Sequence, residues 1–311
     1  MNDDQVTTNH AAAVRAALGW MVVSSMLFAS VMVSVRFFLS DLPPVQTAFL
    51  RYVMGVFLLL PFVAGSLPQL WRSPVRKALA SRGILHGIAV CLWFFSIQRI
   101  PLADVNAILN LGPVWATLGA AVFLGEKLRL RRVSAILISF AGAMIIIKPG
   151  FAQIDIGIMA VMCTAAFFAF SDLIAKQVKA HHDDRFIILS LSVTISLITL
   201  VPALFVWQPI SAGNWVGIIL IGTAATVGHV TLLRSFAGPM WAAQSGKYIQ
   251  LLFVIILGVA LFDEIPTTST LFGALVVLLG VSYIAVREGR QRAGKSDRHE
   301  HDDDAKGKGT G

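Results

Sequence analysis

Apolar residues in this chain come in long blocks, not in the alternation of a half-buried strand or the narrow stripe of a soluble amphipathic helix. Five blocks run from Leu18 to Phe38, Val45 to Ala64, Leu79 to Ile97, Leu102 to Leu124 and Val133 to Ile147. Five more follow, from Asp155 to Ala175, Phe186 to Trp207, Trp215 to Leu233, Met240 to Phe262 and Thr270 to Val286. A helix of about 20 such residues spans a bilayer, so the pattern predicts an all-α integral membrane protein of ten helices. The gaps carry Leu42-Pro43-Pro44, Ile100-Pro101, Lys148-Pro149-Gly150, Gln208-Pro209, Gly238-Pro239 and Ile265-Pro266, and proline disfavours helix on its N-terminal side. The first block is too long for a signal-peptide core and lacks a small-residue cleavage site, so a retained helix is expected.

Composition narrows the class. The chain has 311 residues, 56% hydrophobic and only 14% charged, with a mean hydropathy of +0.76. A soluble domain carries about 25% charge, which excludes an ordinary soluble enzyme and leaves no room for a separate soluble domain. The net charge of +8 would suggest nucleic acid on a soluble protein; here the bases occupy the gaps, so lipid and not nucleic acid is the expected partner. Cys91 and Cys163 lie inside apolar blocks and read as buried hydrophobes. Residues 287–311 are charged and contain glycine, a solvated, disordered tail in which His299, His301 and Asp302 to Asp304 have nothing to fix metal geometry. No metal or cofactor is expected. The chain lacks a phosphate-binding Gly-x-x-x-x-Gly-Lys-Ser/Thr loop, so energy would come from a gradient or from exchange.

The halves repeat. Gly19 and Gly157, Pro101 and Pro239, Glu126 and Glu264, and Gly142 and Gly280 are each 138 residues apart. A unit of five helices must re-enter the membrane from the opposite side, which predicts two inverted repeats, residues 18–148 and 155–286, flanked by cytoplasmic tails 1–17 and 287–311. Charge agrees with a cytoplasmic N-terminus. Arg72, Arg76, Lys77 and Arg82, then Lys127, Arg129, Arg131 and Arg132, then Lys176, Lys179 and Arg185 fall on one side, whereas the other keeps only Arg99 and Lys148.

Charge within a span costs about 2.5 to 3.5 kcal/mol near the helix centre and needs a reason. Arg36 and Asp172 sit near helix ends, where snorkelling or an i, i+4 pair with Lys176 accounts for them. Arg51 and Lys247 lie deeper and enter from opposite faces, as a midplane site between inverted repeats requires; they are expected to read substrate charge. Asn106 and Asn110 share one face with the carbonyl that Pro113 releases, and their repeat partners are Gln244 and Tyr248; these four are expected to hydrogen-bond substrate. Trp93 and Trp115 would supply an apolar wall. His86 and His229 are candidate proton carriers, with a proton or a counter-substrate as coupling partner. Gly83 to Gly87 and Gly213 to Gly217 have the spacing for close helix packing.

The segments Arg99-Ile100-Pro101-Leu102-Ala103 through Gly112-Pro113-Val114, Phe123-Leu124-Gly125-Glu126-Lys127-Leu128 and Ala141-Gly142-Ala143-Met144 resemble the fourth and fifth helices of EamA-type transporters of the drug/metabolite transporter superfamily. Tyr248 to Leu251, Phe262-Asp263-Glu264-Ile265-Pro266, Gly273 and Gly280 resemble the same part of that family's second repeat. The resemblance spans Leu18 to Val286 and implies ten helices, cytoplasmic termini and a central cavity between the repeats, with Glu126 and Glu264 structural or gating. The chain departs from the family pattern at Asp263, where the usual residue is Gly, and at Leu251, which lacks the proline that the first repeat has at Pro113.

The sequence thus predicts a secondary transporter in the cell inner membrane that carries a small organic metabolite by alternating access. A vitamin-, nucleoside- or amino-acid-like compound such as riboflavin or S-adenosylmethionine is the first expectation, and a multidrug or amino-acid exporter the second. A lipid-modifying membrane enzyme would need paired carboxylates or a nucleophile with its base inside the spans, and only scattered Asp104, Asp172, His86 and His229 are present.

Overall fold

The computed structural model describes residues 3–63, 65, 68, 72–124, 130–147, 155–235 and 249–280. In chain order the helices are α1 (Asp3–Phe38), α2 (Pro44–Val63), α3 (Arg76–Arg99), α4 (Leu102–Leu109), α5 (Gly112–Leu124) and α6 (Leu130–Ile147). They continue with α7 (Ile156–Val178), α8 (Asp184–Phe205), α9 (Ala212–Ser235), α10 (Ile249–Phe262) and α11 (Thr268–Gly280). Among the described residues, six helices are long and apolar enough to cross a membrane.

Most expected blocks become helices within a few residues of their predicted limits where they are described, residues 240–248 and 281–286 lying outside the described residues, but two differ. The first helix begins at Asp3, well before the apolar block. Ala12, Ala13, Ala16 and Ala17 are strong helix formers. The block from Leu102 to Leu124 is broken at Asn110-Leu111 into α4 and α5. The expectation that Pro113 releases a carbonyl within one continuous helix is corrected: Pro113 sits in the opening turn of a new helix, where an absent N–H is least costly. The N–H of Asn110 bonds to the Asn106 carbonyl (3.2 Å) and that of Trp115 to the Leu111 carbonyl (3.2 Å), so both ends of the break are tied.

Polarity is distributed inside out relative to a soluble bundle. On α2, Arg51 is 6% exposed while Phe57 is 66% exposed. Phe62, Leu197, Phe205, Ile256 and Leu279 also face outward, and Gln46, Thr47, His86, Asn106 and Asn110 are buried. An apolar belt around a polar interior suits lipid as the surrounding solvent. Cys91 is half-buried, but Cys163 is exposed on that belt and not buried as expected.

The helices interlock across the two halves. α1 packs along α9 and α7 along α3, α2 against α8, and α4 against α10, while α2 also touches α9 and α3 touches α8. The pairings of α1 and α2 with α9 have mates in which the halves trade places, α7 and α8 with α3, while α2 with α8 is its own mate. Ser24 on α1 donates to the Gly228 carbonyl on α9 (3.0 Å), and Thr164 on α7 donates to the Ala89 carbonyl on α3 (3.2 Å). Close approach relies on glycine. A Cβ on Gly83 or Gly87 would lie within 2.4 Å of Thr194 or 2.7 Å of Ile198 on α8. On Gly142 of α6 it would lie 2.8 Å from the Gly273 carbonyl of α11, and on Gly273 it would lie 2.6 Å from the Gly142 carbonyl. Gly213 is not part of such a contact, its nearest neighbour being Ser211 Oγ at 3.8 Å.

Candidate functional site

The deep cation of α2 sits at the centre of an aromatic and imidazole cluster. Arg51 places its guanidinium 3.8 Å from the centroid of the Tyr52 ring and its Nη2 3.4 Å from His229 Nδ1 on α9. That nitrogen is also 2.8 Å from the Ala225 carbonyl. A carbonyl only accepts, so Nδ1 carries the proton, donates to Ala225 and shows Arg51 an N–H in place of a lone pair. α2 and α9 come this close because Gly222 has no side chain opposite Met54.

Beyond His229 the cluster continues without a gap. Its ring lies edge-on to Phe28 (5.0 Å between centroids) and 5.7 Å from His86 on α3. His86 Nδ1 is 3.0 Å from Ser171 Oγ, and its ring is 4.7 Å from Phe168, both on α7. Phe168 in turn meets Trp93 at 6.0 Å, which stacks on Phe94 at 5.5 Å. Arg51, His86, His229 and Trp93, predicted separately from α2, α3 and α9, therefore form one assembly. Tyr52, Phe168, Ser171 and Phe28 complete it and carried no signal in the sequence, where an aromatic or serine in an apolar helix looks like any packing residue.

A second group surrounds the break between α4 and α5. Asn106 Nδ2 lies 3.7 Å from Met32 Sδ, as does Gln250 Nε2 on α10. Gln250 was missed because a fixed repeat offset points to Gln244 and passes over it. Trp115 meets Phe140 at 5.6 Å. Four buried polar groups in this region and the adjoining cluster, the N–H donors Trp93 Nε1, Asn110 Nδ2 and Trp115 Nε1 and the Tyr52 hydroxyl, have no hydrogen-bond partner among the described residues. Buried N–H groups are paired in the great majority of cases. Donors held without acceptors are suited to a ligand rich in carbonyl, carboxylate or ring-nitrogen acceptors.

Glu264 closes one end of the bundle. Its Oε2 accepts from the Leu102 N–H at the start of α4 (2.8 Å) and its Oε1 lies 3.2 Å from Arg36 Nη2. Arg36 also donates to the Ile100 carbonyl. Arg36 thus joins an inter-repeat ion pair instead of snorkelling. The preceding Asp263 has φ 55°, a left-handed conformation that aspartate tolerates better than most residues; this accounts for the departure from glycine there. Close by, Thr270 Oγ1 donates to Asp104 Oδ1 at 2.7 Å. Gln244, Lys247, Tyr248 and Glu126 lie outside the described residues, as does the side chain of Pro113.

The sequence pattern of the EamA-like transporter family fits residues 15–148 and again residues 155–286. The chain belongs to the EamA-like transporter family. Among relatives of this EamA-like protein, the pseudopaline exporter CntI of Pseudomonas aeruginosa strain UCBPP-PA14 is 25% identical over 83% of this chain and 92% of that protein. The riboflavin transporter of Vibrio cholerae serotype O1 is 26% identical over 85% of this chain and 91% of its own length. The S-adenosylmethionine uptake transporter of Rickettsia bellii is 21% identical over 87% and 94%. A protein of solved crystal structure shares the fold, with a TM-score of 0.59 at 15% identity over 88% of this chain and 97% of that one. The chain is a multi-pass membrane transporter and not an enzyme.

Proposed function

We propose that this transporter moves a small organic metabolite by alternating access, driven by a gradient or by exchange, with riboflavin-like and S-adenosylmethionine-like compounds as first candidates. The observation that carries this reading is the set of unpaired buried donors on Trp93, Asn110 and Trp115, beside the Arg51, His86 and His229 cluster. These residues, with Asn106, would hold the substrate. Gln244, Lys247 and Tyr248 would contribute from the second repeat, and His86 and His229 would carry a coupling proton. Residues 18–148 and 155–286 act as inverted halves; in support, α1 ends and α7 begins at the end of the bundle that holds Arg36 and Glu264. The excess of bases in one set of gaps favours a cell inner membrane protein with both termini in the cytoplasm.

The test is counterflow in proteoliposomes loaded with vitamins, nucleosides, amino acids and S-adenosylmethionine. Exchange of at least one panel member, reduced about tenfold or more by Trp93→Phe together with Asn110→Ala, supports the reading. Absence of counterflow for every organic solute, beside a solute-insensitive current, overturns it in favour of a channel. Export is the second reading, favoured by the likeness to the pseudopaline exporter.

A further inference from the structure

Arginine lies inside the bundle at three places, half-buried at Arg36 and buried at Arg51 and Arg82, and two of them have an acid at hand. Arg36 pairs with Glu264. Arg82 donates to the Ile187 carbonyl (3.3 Å) and feels the charge of Asp172. Arg51 differs. Among the described residues it has the π face of Tyr52 and the His229 ring, and no carboxylate contacts it.

The protonation deduced at His229 sharpens this. Because Nδ1 donates to the Ala225 carbonyl at 2.8 Å, the 3.4 Å approach of Arg51 Nη2 to the same nitrogen sets one donor against another. A guanidinium has five N–H donors and no acceptor, and a charge removed from water is paired or hydrogen-bonded. The unpaired indole N–H of Trp93, at the far side of the same cluster, is also a donor. Donors outnumber acceptors here: the Tyr52 hydroxyl is a neutral oxygen, itself buried and unpartnered, and no anionic oxygen contacts the guanidinium among the described residues.

We propose that Arg51 is the anion receptor of the transport site, so that the substrate carries an ionised carboxylate or phosphate that the guanidinium holds in a two-pronged contact. The inference rests on the transporter reading above and deepens it by naming the substrate class, which keeps the S-adenosylmethionine-like candidate, with its carboxylate, and drops riboflavin itself, which has no ionised acid. It also assigns a consequence to binding. Arg51 belongs to the first half and His229 to the second, so an anion that draws the guanidinium away from the imidazole relieves a donor-against-donor approach between the halves at mid-bundle.

The experiment uses the purified full chain and matched pairs of simple probes that differ in the acid: benzoate against benzamide for the carboxylate, phenyl phosphate against phenol for the phosphate. Thermal unfolding midpoints are followed as each probe is titrated against the parent, Arg51→Lys and Arg51→Gln, with sodium chloride as an inorganic control. In at least one pair the acid should act at about tenfold lower concentration than its neutral mate. That preference should shrink in Arg51→Lys, which keeps the charge and loses the fork, and vanish in Arg51→Gln. Equal action of acid and neutral probes, equal action of chloride and the organic acids, or a preference unchanged in Arg51→Lys or Arg51→Gln overturns the proposal. Counterflow of a neutral solute with no acid preference removes this inference and leaves the transporter reading standing; absence of all counterflow removes both.

Discussion

Asn106 and Gln250 donate to one and the same atom, the sulfur of Met32, each at 3.7 Å. The first amide stands on α4 of one half and the second on α10 of the other, while Met32 comes from α1. Three helices are thus tied through a soft acceptor, whose weak hydrogen bonds are readily exchanged. Replacing Met32 with leucine keeps most of the volume and removes the acceptor. The expected outcome is a lower unfolding midpoint, equivalent to about 1 kcal/mol, read by differential scanning fluorimetry; Met32→Ala, which also opens a cavity, should lower it further.

Glu264 combines two jobs that substitution can separate. Glu264→Gln keeps an oxygen for the Leu102 N–H and discards the ion pair with Arg36, whereas Glu264→Ala discards both. Stability should therefore fall in the order parent, Gln, Ala. A double-mutant cycle with Arg36→Gln should return a coupling of about 0.5 to 3 kcal/mol, measured by thermal or denaturant unfolding; additivity within error would show that the pair is idle. Asp263→Gly should be tolerated, and Asp263→Val should destabilise because a β-branched residue resists φ 55°.

Unpaired donors make an unusual prediction about stability. Trp93→Phe, Asn110→Leu and Trp115→Phe each delete a buried N–H that bonds to nothing described. Removing such a group costs the fold little, so midpoints should stay within about 2 °C of the parent or rise. Counterflow should nevertheless drop by about tenfold or more. A parallel loss of stability and transport would mean that these side chains serve packing alone.

His182, in the turn between α7 and α8, lies outside the spans and faces Ser73 Oγ at 2.8 Å from its Nε2. Burial, reinforced by neighbouring His181 and opposed by Asp183, holds its imidazole below the ordinary value of 6.5. Because the folded value is the lower one, proton uptake favours the unfolded chain. The contribution is complete above about pH 6.5 and fades as pH falls through the folded value. Unfolding midpoints taken from pH 7.5 downward should decline, and His182→Gln should flatten that decline.

Helix positions were legible because lipid imposes one demand, continuous apolar helix, on most of the chain. The break at Asn110-Leu111 was not: Gly112-Pro113 signals a disturbance, yet whether a helix kinks or restarts depends on what its neighbours bond. The same limit applied to the site. Arg51, His86 and His229 stood out singly because charge and imidazole are rare in a span, but nothing along the chain says that they meet. Arg36 was read as an interfacial side chain because its partner, Glu264, is more than two hundred residues away in sequence. Gln250 was hidden by the assumption of constant spacing between copies, whereas α3 and α9, equal in length, are 136 residues apart and the landmark residues 138.

Where α6 meets α11, main chain touches main chain at Gly142 and Gly273. At the two glycines themselves there is no rotamer to reset when the crossing angle changes, and only the flanking Ile146 and Val277 side chains must give way. Such a crossing point is suited to serve as a bare axle, about which the two helices swivel while the point itself stays fixed.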